Sequence, residues 1–538
     1  MGLMKCEEKK SRLLAGRTVF DHADLMEIRL ATSCGRSASC HECTVEVLEG
    51  EGCLSPRGAT EAFLTDGYRL SCQAKVESTD GDVTIVPLRR EPRILETTAR
   101  RSVDLDPAVR VEGSRVILDG EEIDDFRGHV YGLAIDLGTT TVVMELVDLL
   151  TGEAVALSSF GNPQRFGGSD VMNRISYDGG PYRGELWRAI TASINDEIES
   201  LCERLGFLRQ EIYELAIAGN STMRDLLFRL DVQSIGERPY KSTTEHALVA
   251  GEVETTAISM GTRRMGIRVN PRARAYGLPL IASHVGADTA AALVAIDAFD
   301  TDSLFMLVDV GTNTEVVVGN GQRMIAASCP AGPAFEGGGI RYGMPGYPGA
   351  IESIRIEGEK FVSRTIDDHP PEGICGSGLV DLIAELRRHG KMTEKGVFEK
   401  KQYELTIAEA EGITFSREDA SILAQAKAAN TCGQFIAMRH LGVRPEEIEN
   451  LYLAGGFANY VDAASAIEIG FLAPVPVDRI RKIGNAALQG AREVLLSQKI
   501  RRRLEHEVRS IEHIELETTP DFFDVFVDGC QFKPIAFN

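Results

Sequence analysis

The sequence predicts a small cysteine-rich α+β domain followed by a large two-lobed α/β domain. The first prediction rests on six of the 11 cysteines, which lie before residue 73 among short strand-like pieces such as 44–48 and Val83–Pro87. The second rests on the residues from 131 onward, where apolar strands alternate with amphipathic helices, as is typical of α/β architecture. The predicted boundaries are 1–88 for the first domain, 89–128 for a charged linker and 129–538 for the second domain, with lobes of approximately 129–300 and 301–538.

Composition excludes several classes of protein. The chain has 538 residues and a formal net charge of −22, so it has no overall attraction for nucleic acid or an anionic membrane. No apolar run approaches the ~18 residues that span a bilayer, and the charged N-terminus has no signal-peptide core. The odd number of cysteines argues against a disulfide framework. We therefore expect a cytoplasmic protein with neither a nucleic-acid nor a membrane partner.

Local patterns predict further elements. The charged linker contains one expected element, a short strand pair at 109–118. Apolar residues spaced three and four apart predict helices in the second domain, two of them behind the N-cap residues Ser416 and Asp462. The predicted helices cover residues 185–205, 222–230, 287–298, 378–388, 417–441, 463–469 and 486–498.

The second domain contains an internal repeat. Residues 134–144 read AIDLGTTTVVM and residues 308–318 read VDVGTNTEVVV, so both contain Asp-x-Gly-Thr-x-Thr between apolar runs. The copies are too far apart for a solenoid, whose repeats are usually 20–50 residues long. They indicate a duplicated domain in which each copy forms strand, tight turn, strand and presents its turn to a ligand.

Four cysteines have a pattern suited to a two-iron cluster. Cys34, Cys40, Cys43 and Cys72 are spaced C-x5-C-x2-C-x28-C, with three thiolates on one loop of small residues and a distant fourth. Such a loop can fold closely around inorganic sulfides and donate N–H groups to them. The alternative is a structural or zinc site, but zinc knuckles usually pair two C-x2-C units and only one is present.

The surroundings of these cysteines resemble the plant-type ferredoxin family. The matching segments include Cys40-His-Glu-Cys-Thr-Val and Gly67-Tyr-Arg-Leu-Ser-Cys-Gln. The resemblance implies a β-grasp fold and a [2Fe-2S] cluster held by Cys34, Cys40, Cys43 and Cys72. Only about a dozen residues precede the segment at 16–20, so the first hairpin of the family is expected to be shortened or missing. His41 and Cys53 are expected not to be ligands.

The two repeated turns suit the phosphates of a nucleotide. Gly138 and Gly311 let the backbone approach a phosphate without a Cβ clash, and the N–H and hydroxyl groups that follow can hold phosphate oxygens. Asp136 and Asp309 can position Mg²⁺ through its bound waters, because this hard cation prefers oxygen ligands. No P-loop motif is present. The residues expected to contact phosphate are Gly138, Thr139, Thr140, Gly311, Thr312 and Asn313.

Two further glycine motifs complete the predicted nucleotide site. In LYLAGGF, residues 451–457, an apolar strand ends in Gly455 and Gly456, and such a turn can lie against an adenosine. The segment Cys375-Gly-Ser-Gly-Leu opens a helix, where the exposed N–H groups of Gly376 and Gly378 suit an anion or the nucleotide.

Residues 131–500 resemble the superfamily of actin, chaperone ATPases and sugar or acetate kinases. Its phosphate-1, phosphate-2 and adenosine motifs match residues 136–141, 309–314 and 453–457, in the order that the family requires. The resemblance implies a duplicated ribonuclease-H-like (actin-like) ATPase domain that binds ATP and Mg²⁺ between its lobes.

Additional segments narrow the resemblance to one branch. They include Asn162-Pro-Gln-Arg-Phe-Gly, Ala218-Gly-Asn-Ser-Thr-Met, His284-Val-Gly-Ala-Asp-Thr and Gly484-Asn-Ala-Ala-Leu. Together with the N-terminal domain, they resemble the ATP-dependent reductive activators of corrinoid proteins. The family implies one-electron reduction of Co(II) to Co(I) in a partner, either a corrinoid (cobalamin-binding) protein or a corrinoid methyltransferase. It also implies an upstream low-potential electron donor, and leaves homodimer formation open.

The join between the domains departs from that family pattern. A middle domain is expected between the ferredoxin and the ATPase, and about 40 charged residues occupy its place here. The sequence therefore predicts that the middle domain is missing.

Alternative functions remain at this point. One is a small-molecule kinase with a regulatory iron–sulfur domain, for which Asp170, Asp288 and Glu336 are candidate bases. Another is an electron carrier with a degenerate ATPase, although both phosphate turns keep their aspartates and glycines. A dehydratase-activator branch is expected to share one [4Fe-4S] cluster across a dimer, which the ferredoxin-like N-terminus does not fit.

Overall fold

The computed structural model of the chain describes residues 2–6, 9–28, 30, 32, 34–88, 101, 103–399, 402–456 and 458–537. Among these residues, no helix is both long enough and apolar enough to cross a membrane.

The N-terminal domain is built on one five-stranded sheet with a short helix. The sheet order is β2-β1-β5-β3-β4, and β1 pairs with β2 as an antiparallel hairpin from Leu3↔Arg12 to Cys6↔Lys9. The first hairpin is therefore present in shortened form, with strands of only four residues each, which is one of the two outcomes expected from the sequence. The elements are β1 Leu3–Cys6, β2 Lys9–Arg12, α1 Val19–Leu25, β3 Thr44–Glu49, β4 Tyr68–Leu70 and β5 Val83–Pro87.

The interval predicted as a linker is partly folded. The predicted strand pair at 109–118 is confirmed, and a third strand follows it in an antiparallel sheet. Val109, Val116 and Leu118 are buried in the same apolar cluster as Val494 and Leu495 of the large domain. This sheet therefore packs on the large domain. Residues 89–100 of the predicted linker lie outside the described residues. Its strands are β6 Val109–Glu112, β7 Arg115–Leu118 and β8 Glu121–Asp125.

The first lobe of the large domain has a mixed six-stranded sheet. Its order is β11-β10-β9-β12-β14-β13, in which β9 pairs antiparallel with β10 and parallel with β12. The strands are β9 Tyr131–Leu137, β10 Thr141–Asp148, β11 Ala154–Gly161, β12 Ile212–Gly219, β13 Ile258–Gly261 and β14 Arg274–Gly277. The helices are α2 Val171–Asp178, α3 Glu185–Leu205, α4 Ser221–Leu227, α5 Gln233–Gly236, α6 Thr243–Val249 and α7 Ala287–Ala295.

The second lobe repeats this plan. Its main sheet has the order β24-β23-β15-β16-β17-β25, and β15 again pairs antiparallel with the next strand and parallel with β23. The strands are β15 Phe305–Val310, β16 Thr314–Asn320, β17 Arg323–Cys329, β18 Ala350–Glu357, β19 Lys360–Thr365, β20 Gly373–Ile374, β21 Glu404–Ala408, β22 Ile413–Ser416, β23 Asn450–Ala454, β24 Ile480–Gly484 and β25 Glu512–His513. The helices are α8 Gly376–Arg388, α9 Arg417–Leu441, α10 Ala463–Glu468, α11 Ala486–Leu496, α12 Gln498–Glu507 and α13 Phe522–Gly529.

The predicted helices are present, with one break. The long helices at 185–205 and 417–441 have the predicted bounds, since glycines in left-handed conformation at 206 and 442 end them. The predicted helix at 486–498 stops at Leu496, because Ser497 is extended (φ −143°, ψ 111°) and its hydroxyl caps α12 instead.

Two helices carry the junction of the lobes. Helix α11 follows β24 of the second lobe but packs on α7 and on β9 and β12 of the first lobe. The approach is close at Gly490, where a Cβ atom would lie 1.9 Å from the carbonyl oxygen of Ala291. Both helices begin at the cleft between the lobes, with Asp288 in the first turn of α7 and Asn485 capping α11.

Candidate cysteine loop and nucleotide cleft

The cysteine loop of the N-terminal domain is tightly wound. Four residues in this short stretch have left-handed backbones, and three of them are not glycine, a costly conformation that is concentrated at functional sites. They are Gly35 (φ 60°), Arg36 (φ 68°), Ala38 (φ 62°) and His41 (φ 64°). The winding directs backbone N–H groups of Ser39 and Cys40 to the sulfur of Cys34, and that of Ala38 to Cys72.

The structure brings the four predicted cysteines together as two pairs. Cys34 contacts Cys40, and Cys43 contacts Cys72. Burial opposes ionisation of Cys34, but the sulfur and backbone donors around it outweigh burial and lower its pKa to about 5. The hydrogen bond from Cys43 lowers the pKa of Cys72 to about 6. Because thiolates are the ligands of iron, these four residues would be suited to hold an iron–sulfur cluster.

A buried ion pair fixes the strand that leads to Cys72. Glu61 and Arg69 are each 1% exposed, and the Arg69 Nε lies 3.0 Å from a Glu61 oxygen. The same oxygen accepts the backbone N–H of Leu70 at 2.9 Å. The distant fourth cysteine is thus held rigidly against the loop that carries the other three.

The two phosphate turns face each other across the cleft. Each connects the predicted antiparallel strands, β9 to β10 and β15 to β16. The hydroxyl oxygens of Thr140 and Thr312 lie 3.2 Å apart, and both donate to the same oxygen of Glu336, at 3.0 and 2.8 Å. The cleft has a volume of about 300 Å³, and all six residues predicted to contact phosphate line it.

Acidic side chains concentrate in this cleft. Burial raises the pKa of Asp136 to about 7 and that of Asp309 to about 7, and neighbouring carboxylates add to both shifts. Burial also raises the pKa of Asp288 to about 6 and raises those of Glu315 and Glu336. So many buried carboxylates repel one another unless a cation neutralises them, and carboxylate oxygens are the ligands that Mg²⁺ prefers.

Two asparagines in the cleft were missed by the sequence reasoning. Asn485 Nδ2 donates to Asp136 Oδ2 at 2.8 Å, and Asn220 Nδ2 donates to the hydroxyl of Thr139 at 2.9 Å. Each follows a glycine at the end of a strand and caps the next helix, Gly219-Asn220 after β12 and Gly484-Asn485 after β24. This second duplicated motif was the signal that could have identified them.

The remaining predicted residues divide between the cleft and the core. Gly376, Gly455 and Gly456 line the cleft, as expected. Gly378 does not, because it lies against β18, where a Cβ atom would be 2.2 Å from the carbonyl oxygen of Ile351. Gly378 therefore packs closely against β18, and the contact of its N–H group with the nucleotide stays a prediction. Phe457, the last residue of the predicted adenosine motif, lies outside the described residues.

We expect MgATP affinity to rise with pH between about pH 6 and pH 8. Burial raises the pKa of Asp136 and that of Asp309 to about 7, and both must ionise to hold a cation, so binding releases protons below that pH. The affinity for MgATP is highest above the pKa of the two carboxyl groups. Below that pH it falls by up to about tenfold per pH unit for each proton that must be released. Calorimetry in two buffers of different ionisation enthalpy measures the protons released. The variant Asp309→Asn should release fewer protons when it binds MgATP. An affinity that does not change with pH would contradict the expectation.

The cysteine loop and the first lobe share an interface. Thr65 donates to the carbonyl of Phe166 at 2.6 Å, and Tyr177 donates to the carbonyl of Phe63 at 2.5 Å. His41, next to Cys40 in the chain, stacks on Phe63 and lies 2.8 Å from a Glu185 oxygen, so its side chain serves the interface and not the cluster. Cys43 and Cys72 belong to the same apolar cluster as Phe166.

Comparison with known families agrees with this architecture. The chain matches the model of a 2Fe-2S iron-sulfur cluster binding domain at residues 7–77, of the RACo middle region at 131–300, and of the C-terminal domain of RACo, the ASKHA domain, at 303–537. The middle region is therefore present as the first lobe, and the prediction that a middle domain is missing was wrong.

Two curated relatives and one solved structure are similar over most of the chain. The corrinoid activation enzyme RamQ of Eubacterium limosum is 31% identical over 453 residues, which is 78% of this chain and 74% of RamQ. The [Co(II) methylated amine-specific corrinoid protein] reductase of Methanosarcina barkeri is 27% identical over 444 residues, 74% of this chain and 76% of the relative. The structure of a reductive activator for corrinoid,iron-sulfur protein matches with a TM-score of 0.72 and 27% identity, covering 99% of this chain and 98% of that one.

The cysteine loop, the duplicated phosphate turns and the likeness to these proteins lead to one conclusion: the chain belongs to the RACo family of ATP-dependent corrinoid-protein activators.

Proposed function

We propose that the protein reduces the Co(II) form of a corrinoid protein to Co(I) by one electron, at the expense of ATP. The observation that carries the proposal is the interface described above, in which the N-terminal domain, including His41 of its cysteine loop, contacts the lobe that contains the first phosphate turn. An electron site and a nucleotide cleft that share one rigid lobe can influence each other. A kinase with a remote regulatory domain has no need of this arrangement.

Cys34, Cys40, Cys43 and Cys72 are the residues that would hold a [2Fe-2S] cluster, since they are paired and two of their thiols have lowered pKa values. When bound, such a cluster accepts and releases single electrons at low potential. Electron balance requires an upstream donor of still lower or similar potential, and the electron leaves to the cobalt of the partner. The protein residues keep the loop closed and exclude water from its inner side, where Cys43 is 1% exposed.

The two lobes would hold ATP by its phosphates. The hydroxyls of Thr140 and Thr312 now donate to Glu336, and a phosphate oxygen is the same kind of acceptor, so bound nucleotide would replace that carboxylate. Asp136 and Asp309 would hold Mg²⁺ through its waters, with Asn485 orienting Asp136. Gly455 and Gly456 would lie against the adenosine.

The free energy available from ATP is large enough to drive an unfavourable electron transfer from the cluster to cobalt. For one electron, 59 mV is tenfold in equilibrium, so a gap of ~120 mV costs about 2.8 kcal/mol. Closure of two lobes around a nucleotide, with release after reaction, can supply this amount.

The test is anaerobic purification followed by an assay with a Co(II) corrinoid protein, MgATP and a chemical reductant. We expect two irons per chain, ATP hydrolysis stimulated by the Co(II) partner, and the optical spectrum of Co(I) only when MgATP is present. Co(I) formed equally well without nucleotide would refute the proposal. Phosphorylation of a small hydroxyl compound in place of cobalt reduction would favour the kinase.

A further inference from the structure

One short segment lies between the phosphate turn and the cysteine loop. It comprises residues 162–178, that is, the turn after β11 and helix α2, and it follows the first strands of the lobe without a break. One side of the segment binds the phosphate turn at 138–140, and the other side binds the N-terminal domain.

On the nucleotide side, the segment binds every carbonyl of the turn at 138–140. The backbone N–H of Asn162 donates to the carbonyl of Thr140 at 2.7 Å, and its side chain donates to that of Gly138 at 2.9 Å. Arg174 Nη2 donates to the carbonyl of Thr139 at 2.8 Å. Asn162 and Arg174 are each 1% exposed, so no water can substitute for these bonds.

Arg174 also spans the segment itself. Its Nε donates to the carbonyl of Gly168 at 3.0 Å, at the end of the turn that begins at Asn162. A guanidinium has donors fixed in one plane, so a movement of Thr139 is transmitted to Gly168 with little loss.

On the other side, the same segment carries the N-terminal domain. Phe166 accepts from Thr65, Tyr177 donates to Phe63, and Arg165 Nη2 donates to the carbonyl of Pro87 at 3.2 Å. Phe63 in turn stacks on His41, which adjoins Cys40, with 4.1 Å between the ring centroids.

We propose that segment 162–178 couples nucleotide occupancy of the cleft to the docking of the cysteine-loop domain, with Arg174 as the positioning residue. The inference rests on the proposed function only in that MgATP binds the cleft and a cluster binds the cysteine loop. A nucleotide that changes the turn at 138–140 changes the bonds of Asn162 and Arg174. The docking equilibrium then shifts by the difference in nucleotide affinity between the docked and undocked states.

The chain contains a suitable reporter. Trp187 is its only tryptophan. It lies in α3 and lines a cavity of about 180 Å³ together with Thr32 and Glu42 of the N-terminal domain, and it does not line the nucleotide cleft. An iron–sulfur cluster absorbs where tryptophan emits, so the emission of Trp187 depends steeply on how close the N-terminal domain is.

The experiment measures Trp187 emission in the holoprotein as MgATP is added to saturation, without any corrinoid protein. We expect a clear change in the natural protein. In the double variant Thr65→Val/Tyr177→Phe, which keeps shape but removes two interface hydrogen bonds, the change at saturation should fall to less than about half. The matched control is Thr84→Val/Tyr403→Phe, which alters an exposed hydroxyl of β5 and a tyrosine that is 77% exposed, and it should respond as the natural protein does.

Arg174→Lys tests the positioning residue. It keeps the charge, but a lysine side chain lacks the planar set of donors with which Nη2 and Nε hold the carbonyls of Thr139 and Gly168 in fixed relative positions, so the emission change should again fall while two irons remain bound. An unchanged response in Arg174→Lys or in the double variant, or no response in the natural protein, would overturn the proposal. Because no cobalt partner is used, a failure of corrinoid reduction would leave this result standing, and the reverse also holds.

Discussion

Replacing Cys43 with serine should abolish the reduction of a Co(II) corrinoid protein and leave MgATP binding intact. Cys43 is 1% exposed and its side chain contacts Cys72, so its sulfur is shielded from solvent and no solvent group can take its place. A serine hydroxyl is a hard, weakly acidic ligand that iron–sulfur clusters accept poorly. Iron analysis and the visible spectrum measure the cluster, and calorimetry measures nucleotide binding.

The matched control is Cys202→Ser. Cys202 is a half-buried thiol on α3 whose pKa burial raises to about 11, so it is not prepared for ligation. This variant should keep two irons and full activity. If Cys43→Ser also lost MgATP binding, the two sites would not be separable, and if it kept its cluster, Cys43 would not be a ligand.

Replacing Asp309 with asparagine should lower ATP hydrolysis by about 10²–10³-fold without lowering stability. Burial and the charges of Asp288 and Asp136 raise the pKa of Asp309, which means that the surroundings of this carboxyl disfavour its ionised form. The amide removes this repulsion, so the midpoint of denaturant unfolding should stay the same or rise. It also removes the charge that would attract Mg²⁺, so turnover should fall.

Asp381→Asn is the corresponding control. Asp381 is also buried with a raised pKa, but it accepts the N–H of Ile354 at 3.3 Å and does not line the cleft. Its substitution should leave ATP hydrolysis nearly unchanged. Equal loss of hydrolysis in both variants would mean that Asp309 acts through the fold and not on the nucleotide, and a destabilised Asp309→Asn would contradict the electrostatic argument.

Features that depend on neighbours in the sequence were predicted correctly. The two phosphate turns are strand-turn-strand units, and α9 begins at the Ser416 cap and ends at Gly442 as the local signals require. The spacing of the cysteines likewise identified four thiols that lie close together, although it did not indicate which of them pair. Local chemistry determines such elements, since turn residues, caps and ligand spacing act over a few positions.

Features with weak or distant signals were predicted less completely. The sequence leaves the first hairpin as shortened or missing, because its strands have four residues each and the charged β2 has no buried residue. The prediction that a middle domain is missing was wrong because the middle region forms the first lobe. Its strands and phosphate turn have the pattern of an ATPase lobe, so the sequence alone does not distinguish the two. The contact of Gly378 with the nucleotide stays a prediction, because a glycine that opens a helix has the same local sequence whether it faces a ligand or a neighbouring strand.

The sequence by itself determined the two kinds of site, namely four cysteines for a cluster and a duplicated turn for a nucleotide. Only the tertiary structure decided how they are joined. The contacts of Arg174 with Thr139 and of Thr65 with Phe166 link residues 35 and 101 positions apart, and no local pattern encodes such pairs. They arise because folding buries the segment at 162–178 between two domains, where every polar group must find its partner from whichever part of the chain is brought near.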